Sequence, residues 1–177
     1  MAIYTKRGDE GQTDLFSGQR ISKSSSVIDF IGTLDELNSI LGLCVSSLDE
    51  EDIDFSDEAE VLESIQEDLF KVGALSSGAK LAFNPQTETE NIEKTIDDYE
   101  KLLSPLKTFI LPGGSVSSSF LHLARTQVRK TEREAIGLKS QSLTPFLPYL
   151  NRLSDLLFVM ARFVNKKTKT EERFWKK

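Results

Sequence analysis

Two polar strings far apart in the chain carry the residue types that could do chemistry. Tyr4 to Phe16 reads Y-T-K-R-G-D-E-G-Q-T-D-L-F, and Phe109 to Arg133 reads F-I-L-P-G-G-S-V-S-S-S-F-L-H-L-A-R-T-Q-V-R-K-T-E-R. In the first, Gly8 and Gly11 let the backbone turn sharply and point successive N–H groups at an anion. Thr5 and Thr13 add hydroxyl donors, and Lys6 and Lys23 add point charges. The pattern G-x-x-x-x-G-K-[ST] is absent, so this is not a Walker loop. Read alone, the string is as readily a polar arm as a ligand cradle.

The second string is a helix with a cationic edge. At roughly 100° per residue, Arg125, Arg129, Glu132 and Arg133 share about a third of the circumference, and Leu121, Ala124, Val128 and Ala135 fill the adjoining sector. Arginine is permanently charged and forks onto phosphate oxygens. Glu132 stands at helical spacings from which it could hold Arg129 or Arg125. The alternative, a solvated face laced with salt bridges, stays open on spacing alone. Taken together, a glycine-punctuated loop and a cationic helix edge point to a bound polyanion, with a nucleoside triphosphate the leading candidate.

Three further places interrupt apolar patterns. Asp35, Glu36 and Asn38 break an apolar helix; Asp35 adjoins Leu34, which reads either as a partly buried carboxylate in need of a cation or as part of an ordinary exposed pair. Asn151 and Asp155 lie one turn apart among Tyr149, Leu150, Leu153 and Leu156, a spacing that suggests a lined cavity. Phe109 precedes a Pro-Gly-Gly turn, where the default expectation is a core aromatic.

The bulk numbers narrow the function classes. A chain of 177 residues is long enough for one well-cored domain. A net charge of −6 argues against a nucleic-acid footprint, so positive charge must be concentrated locally. The one cysteine, Cys44, allows no intrachain disulfide and reads as a small buried hydrophobe. His122 is the one histidine, and no Glu-x-x-His pair exists, which weighs strongly against a di-iron helical bundle and against a Cys/His zinc site. No apolar run is long enough for a transmembrane helix and no targeting segment is recognisable, so a cytoplasmic protein is expected.

Periodicity predicts the elements that position these groups. Residues 1–26 show no helical period and read as an irregular arm. Val27, Ile31, Leu34, Leu37, Leu41, Cys44 and Leu48 mark a first helix, and Leu62, Ile65, Leu69, Val72 and Leu75 a second that ends near Gly78. A third runs through Ile92, Ile96, Tyr99 and Leu103, capped at Thr89 or a neighbour and stopped by Pro105. Ser115 caps a fourth that reaches Gly137, and a fifth begins around Pro145 to Pro148 and carries Leu150, Leu153, Leu157, Met160 and Val164. No segment alternates like a strand. The expected architecture is all-α: a single domain with an arm at 1–26, a five-helix bundle at 27–165 and a tail at 166–177.

The blocks T-K-R-G-D-E-G-Q-T, L-F-S-G-Q-R-I-S-K, G-T-L-D-E-L-N-S, F-I-L-P-G-G-S, L-H-L-A-R-T-Q-V-R-K-T-E-R and L-P-Y-L-N-R-L-S-D-L-L-F, in that order, resemble the PduO-type ATP:cob(I)alamin adenosyltransferases from Tyr4 to about Arg162. The resemblance implies a ferritin-like five-helix bundle, assembled as a homotrimer with active sites at subunit interfaces. It implies transfer of the 5′-deoxyadenosyl group of ATP to cob(I)alamin, with Mg²⁺ accompanying the nucleotide. Thr5, Lys6, Arg7, Gly8, Thr13 and Asp14 would then wrap ATP, with Lys23 on phosphate. Arg129, Glu132, Arg133 and Asn151 match nucleotide-contacting positions, Asp35 and Arg125 a pair bridging the subunit boundary, and Phe109 the aromatic under the corrin ring.

The chain departs from the family pattern where Arg129-Lys130 replaces two adjacent arginines; lysine lacks the fork, which predicts a looser phosphate contact. Arg7 stands where a smaller residue is common, and either Phe174 or Trp175 could be a tail aromatic near the corrinoid. A reductase or a cobalamin-dependent enzyme is a candidate partner. A carrier that binds ATP and cobalamin and hands the cofactor on without catalysis remains the alternative at this level.

Overall fold

The computed structural model describes residues 3–176, so the first two positions of the arm and Lys177 lie outside it. Five α-helices dominate the described residues: α1 (Ser26–Asp49), α2 (Ser56–Ser76), α3 (Pro85–Leu102), α4 (Val116–Gly137) and α5 (Leu147–Lys167). The packing order is α2–α1–α4–α5–α3. Phe30, Leu37, Leu41 and Cys44 of α1 and Leu150, Leu153, Leu157, Met160 and Val164 of α5 are all wholly buried. Each leucine so buried contributes about 1.5–3 kcal/mol relative to exposure. Burial pushes the Cys44 thiol up to about 12, so it packs as a hydrophobe rather than reacting.

Two buried hydroxyls tie α2 to the far side of the bundle. Tyr99 on α3 donates to Glu58 at 3.1 Å, and Tyr149 on α5 donates to Asp68 at 3.4 Å. Burial, reinforced by those carboxylates, raises both phenols and keeps them protonated as donors.

Four short strands were not expected from the sequence. β1 (Gln12–Asp14) and β2 (Arg20–Ser22) form an antiparallel hairpin within the arm, and β3 (Ile110–Leu111) pairs with β4 (Arg173–Phe174). The tail therefore returns to the bundle. Asn84, rather than Thr89, caps α3: its side chain accepts from the Gln86 and Thr87 amides ahead of Pro85 at the first helical position. Thr89 is buried inside the helix, its hydroxyl donating to the Pro85 carbonyl at 2.6 Å.

The Pro112-Gly113-Gly114 turn that starts α4 is clamped by Asn165 of α5. The Asn165 amide donates to the Gly113 carbonyl at 3.0 Å and accepts from the Ser115 amide at 3.0 Å, while the Ser115 hydroxyl accepts from the Ser118 amide. Gly114 has φ +126°, and a Cβ there would collide with the Asn165 side chain. Only glycine meets both conditions.

Candidate active site

Arg20 shapes the N-terminal loop. Its guanidinium donates to the Gln12 side chain at 2.8 Å, to Asp14 at 3.4 Å and to the Arg7 carbonyl. Arg7 reaches Asp14 from the other side at 3.0 Å. Lys6 occupies the left-handed region (φ 60°), and the turn is closed by the Asp9 and Gly11 amides donating to the Lys6 and Gly8 carbonyls. The Lys23 ammonium lies directly over Gly8, where a Cβ would come within 2.8 Å of Nζ. Lys23 is thus brought to the loop, and a side chain at position 8 would meet it. The hairpin tip docks on the end of α2 through the Ser17 amide and the Ser77 carbonyl at 3.0 Å. Thr13, Lys23 and Asp35 line one cavity of about 560 Å³, walled by Ile31, Leu34 and Phe70.

On α4 the apolar sector is buried as the periodicity predicts, with Leu121, Ala124 and Val128 wholly inaccessible. Arg129 and Arg133 are exposed and Arg125 is half-buried. Among the described residues these three arginines enter no ion pair. Arg125 Nε is buried without a hydrogen-bond partner, and burial together with the neighbouring Arg129 charge lowers its affinity for the proton. Glu132 does not hold an arginine, contrary to the helical-spacing expectation. It accepts from the Asn151 amide at 3.2 Å, a contact from α5 that spacing along α4 could not reveal.

Lys130 is also redirected. It pairs with Glu36 of α1 at 2.9 Å, and Gln127 donates to the same carboxylate at 2.7 Å. The Lys130 hydrogen bond, then that of Gln127, lowers Glu36 below the usual carboxylate range. Lys130 thus links α4 to α1. Asp35 is exposed rather than partly buried and has no cation beside it among the described residues. Asn151 and Asp155 both accept from Arg152 Nη1, at 2.8 and 3.0 Å, and Asp155 lines a cavity between α3 and α5 that does not include Asn151.

Phe109 overturns the core-aromatic expectation outright. It is 79% exposed, in the loop between α3 and β3. It lines a second cavity of about 720 Å³ with Leu106, His122, Arg125, Phe158 and Trp175. The cavity wall mixes apolar side chains with Lys107, Thr108 and Arg125. His122 is buried against the Phe158 ring (6.0 Å between centroids), and both its nitrogens lack partners. Burial, then the Arg125 charge, lowers the imidazole to about 4, so it is neutral at pH 7.

The model of the cobalamin adenosyltransferase family matches residues 3–164. The chain belongs to that family. It is 42% identical over 170 residues to the corrinoid adenosyltransferase of Bacillus subtilis, covering 93% of this chain and 87% of that one. With the mouse corrinoid adenosyltransferase it shares 36% identity over 183 residues, 99% of this chain and 77% of the relative. A variant PduO-type ATP:corrinoid adenosyltransferase from Lactobacillus reuteri, solved in complex with cobalamin and ATP, superposes with a TM-score of 0.88 at 32% identity, covering 99% of this chain and 97% of its own. The five-helix fold expected from the sequence is the fold of this adenosyltransferase.

The candidate site residues fall into three groups. In the arm Gly8 lies under Lys23, Thr13 shares a cavity with Lys23 and Arg7 pairs with Asp14; the α4 edge joins Asn151 through Glu132; and Phe109 shares a cavity with Arg125. Trp175 is one of the two tail aromatics expected near the corrinoid, whereas nothing in the sequence pattern marks Arg20, Asn165 or His122 as parts of these groups. Their partners lie far along the chain or outside any regular period, save that L-H-L-A-R places His122 three residues before Arg125.

Proposed function

We propose that this corrinoid adenosyltransferase works as a homotrimer whose active sites each combine the arm of one protomer with the α4 edge of its neighbour. The observation that carries this is the state of the charges. Arg125, Arg129 and Arg133 enter no ion pair among the described residues, Arg125 Nε is buried without a partner, and Asp35 stands exposed without a cation. A half-buried arginine without a counter-charge is costly unless the assembled site supplies one. Asp35 of one protomer facing Arg125 of the next completes both.

In this reading Thr5, Lys6, Arg7, Gly8, Thr13 and Asp14 wrap ATP, and Lys23 contacts its phosphates. Arg129 and Arg133 fork onto the triphosphate, while Asn151 and Glu132, already joined, meet the nucleoside. Mg²⁺ enters on the triphosphate: no cluster of three His, Cys, Asp or Glu exists among the described residues to cage it, which suits an ion held mainly by phosphate oxygens and water. Co(I) of the reduced corrinoid is a strong nucleophile and attacks C5′ of the ribose. The Co–C bond forms, the C5′–O bond breaks, and triphosphate departs with the bonding pair. The protein contributes alignment and stabilisation of the departing charge. Phe109 closes the lower corrin face to water and to an axial ligand, which favours four-coordinate Co(II) and eases its reduction to Co(I). The electron comes from a reductase or chemical reductant, the product passes to a cobalamin-dependent enzyme, and the setting is the cytoplasm.

The test is an anaerobic assay with ATP, Mg²⁺ and chemically reduced cob(I)alamin, following loss of the Co(I) spectrum and formation of a light-sensitive Co–C bond. Protein- and ATP-dependent turnover is expected. Binding of ATP and cob(II)alamin without turnover would make the protein a carrier. Co-assembly of Asp35→Ala with Arg129→Ala protomers should restore activity that each lacks alone; no recovery in mixed oligomers would refute sharing of sites between protomers.

A further inference from the structure

We propose that Arg162, held by Glu172, is a positioning residue that sets two walls of the corrinoid cavity at once; the assignment of that cavity rests on the functional reading above. Arg162 lies on α5 one turn beyond Phe158, which lines the cavity. Its guanidinium is nearly buried, with a side chain only 9% exposed. Nε donates to Glu172 at 2.8 Å, and Nη2 donates to the Ser104 carbonyl at 2.9 Å. One side chain therefore grips both the loop that leads to Phe109 and the tail that leads to Trp175.

The tail needs such a grip. After α5 the chain reverses and sends β4 back to β3, in the register Ile110 with Phe174 and Leu111 with Arg173. The Trp175 amide adds one bond to the Phe109 carbonyl, at 2.8 Å. A ribbon this short is marginal by itself. The strand alternation sends Phe174 and Trp175 to opposite faces: Trp175 lines the cavity with Phe109, whereas Phe174 lines a different one beside Arg162 and Glu172. Releasing Glu172 would free the strand that carries Trp175 and, through the Trp175–Phe109 main-chain bond, loosen Phe109. Burying an ion pair gains little net stability, and its best-attested use is to fix one arrangement over others.

Trp175 is the one tryptophan of the chain, so its fluorescence reports the docking directly. Glu172→Gln, which keeps the shape and removes the charge, and Arg162→Lys, which keeps the charge and removes the fork, should each red-shift Trp175 emission and weaken its quenching by added cob(II)alamin. Both should raise the corrinoid KM by about tenfold, the size of one charge-assisted hydrogen bond, and leave the KM for ATP unchanged. Unaltered emission and corrinoid KM in Glu172→Gln would overturn the proposal. So would equal increases in both KM values, which mark general loosening of the bundle. If the wild-type protein formed no Co–C bond the functional reading would fail, yet emission and quenching would still decide whether the clasp positions Trp175.

Discussion

Replacing Phe109 with alanine separates what this side chain does for the fold from what it does for the corrinoid. Full burial of a phenylalanine contributes about 1.5–3 kcal/mol. Phe109 is 79% exposed, so about a fifth of that, roughly 0.5 kcal/mol, is at stake on truncation. For a domain of this size the expected loss in Tm is about 1–2 °C. The backbone bond to Trp175 is retained, since alanine keeps the Phe109 carbonyl. An aromatic ring that stabilises the fold so little is kept for what it covers. The variant should therefore bind ATP normally and transfer the 5′-deoxyadenosyl group of ATP to preformed cob(I)alamin at a moderately reduced rate. Starting from cob(II)alamin and a mild reductant, the rate should fall at least about tenfold, a barrier change of about 1.4 kcal/mol. The assay pairs thermal unfolding with adenosylation under the two reduction regimes. A Tm loss well beyond that range would show Phe109 to be structural. An equal rate loss in both regimes would refute the argument that it acts on the cobalt coordination before reduction.

Three other outcomes follow from the same geometry. Arg129→Ala should cost about 100-fold or more in kcat with unchanged helicity, since it removes a charge stabilising the departing triphosphate and breaks no ion pair in the protomer; near-normal turnover would count against that role. Gly114→Ala should lower stability by at least about 1–3 kcal/mol in urea unfolding, because the left-handed backbone and the Asn165 amide both exclude a Cβ. For His122, the folded-state value of about 4 lies below the ordinary 6.5, so the unfolded chain binds the proton more readily. Its contribution is fully present above pH 6.5 and is lost as pH falls towards 4, on the order of 3 kcal/mol in all. The loss should be absent in His122→Phe when unfolding is compared across that range, and an identical pH profile in the variant would remove His122 from the explanation.

The helices were legible because their apolar residues repeat with the helical period over many turns: Leu34, Leu37, Leu41 and Cys44, or Leu150, Leu153 and Leu157, leave no other face to bury. The strands were not, because β1 and β2 span three residues each and β3 and β4 two, too few for an alternation to register. Thr89 looked like a cap because hydroxyls cap helices, yet Asn84-Pro85 offers the better cap and Thr89 satisfies its hydroxyl inside the helix. Spacing along α4 identified which residues share an edge but not what meets them. Glu132 is met by Asn151, and Lys130 by Glu36, across contacts that no one-dimensional pattern encodes. By residue type alone Phe109 reads as core, because an aromatic is a hydrophobe to be buried; only the family resemblance sets it apart, and its exposure fits the proposal that it faces a large apolar ring.

The distribution of charge on α4 carries the same logic one step further. Lys130 and Arg129 are adjacent in sequence, so a purely electrostatic attraction to a nucleotide would treat them alike. The structure does not: Lys130 is neutralised by Glu36 and Gln127 joins that cluster, while Arg129 is left without a partner among the described residues. A lysine is a compact point charge that a single surface carboxylate satisfies, and an arginine fork is worth most against paired phosphate oxygens. The rotation of α4 about its axis is set by its buried face, with Leu121, Ala124 and Val128 inaccessible, and that rotation places Arg125, Arg129 and Arg133 along the edge. In the functional reading proposed above, lysine in place of the second arginine of the family pattern would move one charge from the ligand to the scaffold and leave Arg129 and Arg133 for the triphosphate.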